Sequence, residues 1–408
     1  MANMMALERC RHFNIANIRG LAYMPAPSDY LPTGAPGLYE SSDFYNNVFS
    51  ELWGPVSPAS GRRGRGDLRR FREQLGINFI HCYDWTAPIT QKDQAGQDRA
   101  LLEHRGFLQA CHELGMAATI PISNYTLDLL SQGKTDIARR NVERIIAEIH
   151  GTGAIKAPVP GAGIWKIFNE YELNFDRRPE HVVTVMGWIA EWEQAHGVAD
   201  DQRLPVMVCA SFAMKDGIEG AAALEDVRHI LLQWGRIGTH NAASFWNERI
   251  VFATNPQNPA PDIQDYLTLR LPTYWRKKGV PAPPVMFTEL GSSIEQAGSK
   301  EQQARWLGEQ ISAATPEGYG NPLLGACVFL NEERPWEQGA ERSFGLLRFA
   351  PDHNWGRPER NYRAQTKYPA WDPQGWWWQK DVTYPVEQQA EKLAYRAVAT
   401  AWGPKRPH

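Results

Sequence analysis

The chain has 408 residues, of which 43 % are apolar and 22 % are charged, so a large buried core is expected and wholesale disorder is not. The formal net charge of −3 gives no electrostatic footprint for nucleic acid or for an anionic membrane. The length suits one decorated (β/α)8 barrel, a fold of roughly 250 to 400 residues.

Apolar runs of β type alternate along the chain with helical patterns, which is typical of βα units around a parallel sheet. Asp67 is expected to cap the first of the intervening helices, and Gly76 is expected to end it. The predicted strands are residues 18–23, 77–84, 116–123, 163–170, 206–211, 249–255, 284–289 and 325–330. The predicted helices are residues 68–75, 99–114, 136–150, 181–196, 224–235, 262–278 and 300–314. This succession predicts an α/β protein, a (β/α)8 TIM barrel with long βα loops.

The segment after the last predicted strand is different in character. Residues 331–385 read as irregular and aromatic, with Trp371 and a tryptophan run at residues 376–378. A closing helix is predicted at about residues 386–402. Because no linker separates two domains, residues 1–408 are expected to form a single catalytic barrel with an aromatic C-terminal extension.

Metal and disulfide chemistry find little support in the sequence. The five cysteines, Cys10, Cys82, Cys111, Cys209 and Cys327, are dispersed without metal-ligand spacing, which argues against a disulfide framework. His104 and His112 share a predicted helix but have no third ligand nearby, so surface histidines are favoured over a metal site. We expect neither a metal nor an organic cofactor.

The first residues lack the apolar core of a signal peptide, and no run of about 18 apolar residues is available for a membrane span. As written, the chain is expected to be cytoplasmic. Removal of a signal would leave the same picture, so a secreted or periplasmic location stays open.

Two predicted strands end in a glutamate. Glu170, preceded by Asn169, ends the fourth strand, and Glu289 ends the seventh. In a barrel both carboxyl groups would project at the C-terminal rim, where active sites are built. Glycoside hydrolysis needs such a pair, one group to give a proton and one to attack carbon. A single glutamate at a strand end is more simply a solvated side chain, but the joint placement favours catalysis.

Strand alternation adds an expectation about faces. Glu170 should share its side of the strand with Phe168 and Glu172, and Glu289 should share its side with Val285 and Phe287.

Several short segments carry a family resemblance: residues 19–23, 75–84, 114–116, 168–170 and 287–291. They resemble the retaining β-glycosidases of the barrel clan that keeps Asn-Glu after strand four and Glu after strand seven. The nearest likeness is to the β-1,3-glucanase and β-1,3-glucanosyltransferase families. One position departs from the pattern, because His81 stands on strand two where such families usually place an arginine.

The resemblance implies that Glu170 is the acid/base and Glu289 the nucleophile. It further implies that Asn169 bonds the 2-hydroxyl of the sugar and that Tyr23, Tyr83 and Asp84 line donor subsites. The remaining substrate-binding candidates are His81, Asn255 and Trp336, the last of them either a sugar platform or a loop-packing residue. The implied partner is an oligosaccharide or polysaccharide, and hydrolysis and transglycosylation both stay open.

Two alternative functions remain open. The departure at His81 motivates a carbohydrate-binding barrel that has lost turnover. A barrel enzyme of different chemistry could use the same rim carboxylates. The sequence contains no Gly-Xaa-Ser-Xaa-Gly elbow, phosphate-binding P-loop or dinucleotide fingerprint.

Overall fold

The computed structural model describes most of the chain. The described residues are 3–25, 43–47, 50–54, 65–85, 103–151, 153, 156–212, 218–316, 323–334, 339–349, 363–370, 379–385 and 389–404. Every structural statement below concerns these residues.

Eight parallel strands close into a barrel, as the sequence predicts. In chain order the strands are β1 (Ile18–Ala22), β2 (Phe79–His81), β3 (Ala117–Ile122), β4 (Ala162–Ile167), β5 (Val206–Ala210), β6 (Arg236–Ile237), β7 (His240–Asn241), β8 (Ile250–Thr254), β9 (Val285–Leu290), β10 (Leu323–Val328), β11 (Leu347–Phe349), β12 (Arg363–Ala370), β13 (Gln379–Pro385) and β14 (Gln389–Glu391). The barrel order is β1-β10-β9-β8-β5-β4-β3-β2, so β8, β9 and β10 are its sixth, seventh and eighth strands. The fold class is therefore a (β/α)8 barrel.

Helices separate the barrel strands. They are α1 (Met4–His12), α2 (Ser50–Trp53), α3 (Asp67–Leu75), α4 (Arg105–Glu113), α5 (Asn124–Ser131), α6 (Thr135–His150), α7 (Pro179–Ala195), α8 (Glu219–Trp234), α9 (Ala242–Arg249), α10 (Ala260–Asp265), α11 (Leu271–Lys278), α12 (Ile294–Ala297), α13 (Lys300–Ala313) and α14 (Leu393–Trp402). The predicted helix at residues 262–278 is interrupted by a π-helical turn, Tyr266–Arg270. Pro272 explains the interruption, since it lacks an N–H and its ring crowds the carbonyl of the preceding turn.

The predicted cap of α3 is wrong. Gly66 occupies the N-cap position in a left-handed conformation, and no side chain caps the helix. The carboxylate of Asp67 instead accepts hydrogen bonds from Arg65 and from the Tyr23 hydroxyl, the latter at 2.8 Å. Gly76 ends the helix as predicted, with φ of +68°, a value that glycine adopts without a Cβ clash.

The barrel strands are buried on both faces. Inward-facing residues such as Phe79, Ile164 and Met207 form one apolar cluster, and α1 joins it through Cys10. A larger cluster lies between the strands and the surrounding helices. Continuous apolar runs were therefore a reliable strand signal in this chain, because a parallel sheet covered by helices has no polar face.

The C-terminal region differs in part from expectation. The closing helix α14 begins at Leu393, later than predicted, and packs against α3 and α13, so it completes the ring of helices. Within the stretch expected to be irregular, β12 and β13 pair in an antiparallel manner. All five cysteines are buried and free of disulfides. No helix in the described part of the chain has the length and apolar character to cross a membrane.

Candidate active site

Glu289 reaches the barrel interior because β9 carries an extra residue. Along β10 the partners advance from Ala326 to Val328, while along β9 they advance from Phe287 to Leu290. Such a bulge re-aims a side chain, and alternation with Val285 and Phe287 therefore does not decide where Glu289 points. Its carboxylate accepts a hydrogen bond of 2.9 Å from the hydroxyl of Tyr83, which follows β2 on another side of the barrel. Glu289 is only 7 % exposed.

Glu170 lies on the loop beyond β4 instead of on the strand itself. The strand ends at Ile167, and both Phe168 and Glu170 have left-handed backbone, with φ of 58° and 48°. The side-chain amide of Asn174 donates to the carbonyls of Asn169 and Glu170, at 3.1 and 2.8 Å, and fixes this loop. The alternation expected for Glu170 does not apply past the strand end. Non-glycine residues in this conformation are strained and are enriched at functional sites.

A short hydrogen-bond chain links Glu170 to the end of the seventh strand. The Asn255 amide donates to Oε1 of Glu170 at 3.0 Å. The hydroxyl of Thr288 donates to Oδ1 of Asn255 at 2.6 Å, which fixes the orientation of that amide. Thr288 immediately precedes Glu289, so the ends of the fourth and seventh strands lie close together.

The environment disfavours ionisation of both carboxyl groups. Burial, and after it the charge of Glu170, raise the pKa of Glu289 to about 7, although Lys166 and the Tyr83 hydroxyl oppose the rise. Burial also raises the pKa of Glu170, while the hydrogen bond from Asn255 lowers it. Because the charge of Glu170 acts on Glu289, the two carboxyls do not titrate independently. One protonated and one ionised carboxyl is the state that a retaining pair requires.

A lysine that sequence reasoning missed lies beneath the pair. Lys166 projects from β4 and is 1 % exposed. Its Nζ lies 2.9 Å from Nε2 of His81 and 4.3 Å from the centroid of the Tyr83 ring. The His81 and Tyr83 rings meet edge to face at 4.8 Å. The available signal was one charged residue inside an otherwise apolar strand, since a buried lysine is rarely without a partner or a role.

Of the predicted substrate-binding residues, Tyr83 and Asn255 contact the carboxyl pair directly. Asn169 lies at the rim, where its backbone N–H donates to Oδ1 of Asn124 at 2.8 Å and its side-chain oxygen lies 3.5 Å from Sγ of Cys209. His81 is fully buried, and its Nε2 lies within hydrogen-bond distance of Nζ of Lys166. A direct sugar contact by His81 would therefore require it to leave this position.

Tyr23 occupies a different place from the one predicted. Its side chain is 0 % exposed, its ring stacks on Phe107, and its hydroxyl donates to Asp67. The structure thus uses Tyr23 as core packing instead of as a subsite wall. Asp84 is 8 % exposed and follows β2. Trp336, and likewise Trp371 and the tryptophan run at 376–378, lie outside the described residues.

Two further acids near the pair were not predicted as site residues. Glu172 is half-buried and accepts a hydrogen bond from the backbone N–H of Ser211, at the end of β5. Glu341 is exposed on the turn after the eighth barrel strand, and its charge raises the pKa of both Glu170 and Glu289. Both acids therefore add negative charge near Glu170.

The expectation that His104 is a surface histidine is wrong. His104 is 2 % exposed; Nε2 lies 2.6 Å from Asp43 and Nδ1 lies 3.1 Å from Glu148. Its ring stacks on Trp85 at 4.4 Å. His112 is exposed, as expected. No group of His, Cys, Asp and Glu side chains among the described residues is arranged to hold a metal ion.

Comparison with known proteins gives distant likenesses only. Neither protein-family models nor curated proteins match the chain. A GH2 β-galacturonidase structure from Eisenbergiella tayi shares 14 % identity over 95 % of this chain and 50 % of its own, with a TM-score of 0.45. A β-glucuronidase from Parabacteroides merdae shares 12 % identity over 84 % of this chain and 34 % of its own, with a TM-score of 0.43.

A β-glycosidase designated BGL167 shares 14 % identity over 90 % of this chain and 95 % of its own, with a TM-score of 0.46. The chain thus spans half of the galacturonidase and about a third of the glucuronidase. Likenesses of this degree establish neither activity nor substrate for this chain.

Proposed function

We propose that the protein is a retaining glycoside hydrolase or transglycosylase acting on β-linked, glucan-like oligosaccharides. The observation that carries the proposal is the convergence of Glu170 and Glu289 on one cleft through Asn255 and Thr288. The raised pKa of both carboxyls fits a pair of which one member must carry a proton. A carbohydrate chain is then the expected partner.

We take the two roles from the family resemblance, with Glu289 as nucleophile and Glu170 as acid/base. Burial and the charge of Glu170 raise the pKa of Glu289 to about 7, so its ionised form depends on the hydrogen bond from the Tyr83 hydroxyl and on the charge of Lys166, which both lower that pKa. Ionised Glu289 would attack the anomeric carbon while Glu170 gives its proton to the departing glycosidic oxygen. Glu170, now ionised, would take a proton from water or a sugar hydroxyl as that oxygen displaces Glu289 from the covalent glycosyl-enzyme.

The charge around the cleft supports a neutral sugar. Glu172 and Glu341 add negative charge beside Glu170, and Lys166 is buried beneath the pair instead of facing outward. A uronate carboxylate entering this cleft would meet like charges, which disfavours binding. A neutral hexose meets no such repulsion, in line with the glucan-like substrate that we propose.

The test separates the two roles by mutation. Glu170→Gln should lose about 10²- to 10⁴-fold in kcat on substrates with poor leaving groups, as expected when a general acid is removed. The same variant should retain far more activity on dinitrophenyl β-glycosides, whose leaving group needs no proton. Glu289→Ala should be inactive on both substrates, and added azide should restore turnover and yield an α-glycosyl azide.

Glu172→Gln is the matched control, because this acid lies beside the pair but takes no step in the reaction. It should keep activity within about tenfold of the parent. Near-full activity in either Glu170→Gln or Glu289→Ala would overturn the assignment. The substrates come from a glycan panel read by mass spectrometry, which reports cleavage, product size and transfer together.

A carbohydrate-binding barrel without turnover is the second candidate, and the histidine at position 81 favours it. The same panel decides between the two. Binding of several β-glucans with no released product over long incubation supports a binding function. Product formation abolished by the Glu289 variant supports catalysis.

A further inference from the structure

Three neighbouring side chains form a stack beneath the nucleophile candidate. Lys166 donates toward Nε2 of His81 at 2.9 Å, and its ammonium lies 4.3 Å from the centre of the Tyr83 ring. The Tyr83 hydroxyl, at the other end of that ring, donates to Glu289 at 2.9 Å.

The contacts indicate that Lys166 is charged and His81 neutral. An ammonium over an aromatic face is attracted by the ring quadrupole, whereas a neutral amine is not. A charged Lys166 can only donate, so Nε2 of His81 is the acceptor in this assignment, and the buried Nδ1, which has no hydrogen-bond partner among the described residues, carries the histidine proton. Burial and the charge of Lys166 lower the pKa of His81 well below its usual range, in agreement with this state.

We propose that Lys166 is a positioning residue for Glu289. Its positive charge acts on the Glu289 carboxylate directly, and it also holds the Tyr83 ring, whose hydroxyl donates to that carboxylate. His81 anchors the lysine and does not contact the substrate. The catalytic meaning of this proposal rests on the proposed glycosidase function. Where the families that this chain resembles usually place an arginine on strand two, this chain has His81. In this proposal Lys166 on β4 provides the positive charge instead.

Two carboxyls and two buried thiols surround Lys166. Burial lowers the pKa of Lys166, and the opposing influences come from four groups on separate elements: Cys209 on β5, Glu289 on β9, Cys82 next to β2 and Glu170 after β4. Facing Glu289 are Glu170, Lys166, Tyr83 and Glu341. Among the described groups, Lys166 is the cation with the largest effect on the pKa of Glu289.

The first experiment measures the Glu289 carboxyl directly and needs no substrate. Protein labelled with ¹³C at glutamate carboxyls is titrated by NMR, and the Glu289 signal is assigned by its loss in Glu289→Gln. In Lys166→Met we expect the pKa of Glu289 to rise by about one unit or more, as for a carboxylate that loses a nearby cation. An unchanged titration in a folded variant would overturn the proposal.

Lys392→Met is the matched control, because Lys392 is also buried, at 5 % exposed, but pairs with Glu333 at 2.8 Å. It should leave the Glu289 titration unchanged. A shift of the same size in the control would mean that loss of any buried lysine disturbs the site, and this too would contradict a specific role for Lys166.

A reciprocal measurement covers the case in which Lys166→Met does not fold. Electrostatic coupling is symmetric, so removing the charge of Glu289 must lower the pKa of Lys166 by the same amount. Glu289→Gln changes few atoms and is expected to fold. The ¹⁵Nζ shift of Lys166 should titrate at lower pH in Glu289→Gln than in the parent, and equal titration would refute the coupling.

Kinetics then separate this proposal from the proposed function. If the parent turns over a β-glycoside, Lys166→Met should lower kcat with little change in KM and move the acidic limb of the kcat/KM profile to higher pH by the NMR-measured shift. If the parent turns over no glycan, the glycosidase proposal fails while the NMR coupling still decides the role of Lys166.

Discussion

At the residue scale, the two carboxyls differ in their hydrogen-bond donors. Glu289 accepts a hydrogen bond from the Tyr83 hydroxyl and Glu170 accepts one from the Asn255 amide, while the charge of Lys166 lowers the pKa of both. Asn255 therefore holds Glu170 in place and also biases its titration. The second effect can be measured.

Removing the Asn255 amide should move the basic limb of activity upward. The hydrogen bond from Asn255 lowers the pKa of Glu170 by stabilising its ionised form, so Asn255→Ala should raise that pKa. The acid must be protonated to act, so the basic limb of the kcat/KM profile should move to higher pH even as kcat falls.

Thr288→Val provides the comparison for Asn255→Ala. It removes the hydroxyl that orients Asn255 at 2.6 Å but leaves the amide donor in place, so a smaller shift in the same direction is expected. A downward shift of the basic limb in either variant would contradict the arrangement. pH–rate profiles on one substrate are sufficient for both.

The two carboxylates and Asn255 could be predicted because each stands at the end of an apolar run. Lys166 could not be placed in the same way, because a sequence does not say which face of a doubly buried strand points inward. Tyr23 was misplaced for a related reason. Tyr23 directly follows β1, close to the predicted strand end, but its hydroxyl donates a hydrogen bond to the buried carboxylate of Asp67, and this contact places the side chain in the core.

At the element scale, local irregularities decide the chemistry. The bulge in β9 and the left-handed turn after β4 both occur where a carboxyl must turn into the cleft. Alternation rules describe regular strands and therefore fail at these two points, although they place the strands themselves correctly. A second feature joins separate elements: buried His104, which precedes α4, lies between Asp43 and Glu148 of α6 and contacts both carboxylates.

This arrangement predicts a pH-dependent contribution to stability. Burial alone would lower the pKa of His104, but Asp43 and Glu148 outweigh it and raise the pKa to about 10. The folded value lies above the ordinary value of about 6.5, so the contribution is complete below pH of about 6.5 and is lost as pH rises toward 10. The rise in pKa corresponds to a contribution on the order of 5 kcal/mol at pH 6, which His104→Gln should remove from the free energy of unfolding.

The difference between parent and His104→Gln should shrink between pH 7 and pH 10. His112→Gln, an exposed change on the same helix, should match the parent at every pH. Urea unfolding followed by circular dichroism across this range gives the comparison. A difference that stays constant with pH would show that His104 contributes packing and not charge.

At the scale of the whole molecule, the barrel follows from counting βα units, and that count needs no knowledge of side-chain contacts. Its closure brings the ends of β2, β4, β8 and β9 together, so residues far apart in sequence form hydrogen bonds with one another. The small hairpin of β6 and β7 and the helix α9 escaped prediction, because two-residue strands carry no periodic signal.

The most direct test of a proton donor and a nucleophile across one sugar-sized gap is covalent trapping. The protein is incubated with 2-deoxy-2-fluoro-β-glycosyl fluorides of the sugars found active in the panel, and the labelled peptide is identified by mass spectrometry. We predict one adduct per chain, on Glu289, that forms far more slowly in Lys166→Met. An adduct on Glu170 or on another carboxylate, or turnover with inversion at the anomeric carbon, would contradict the account.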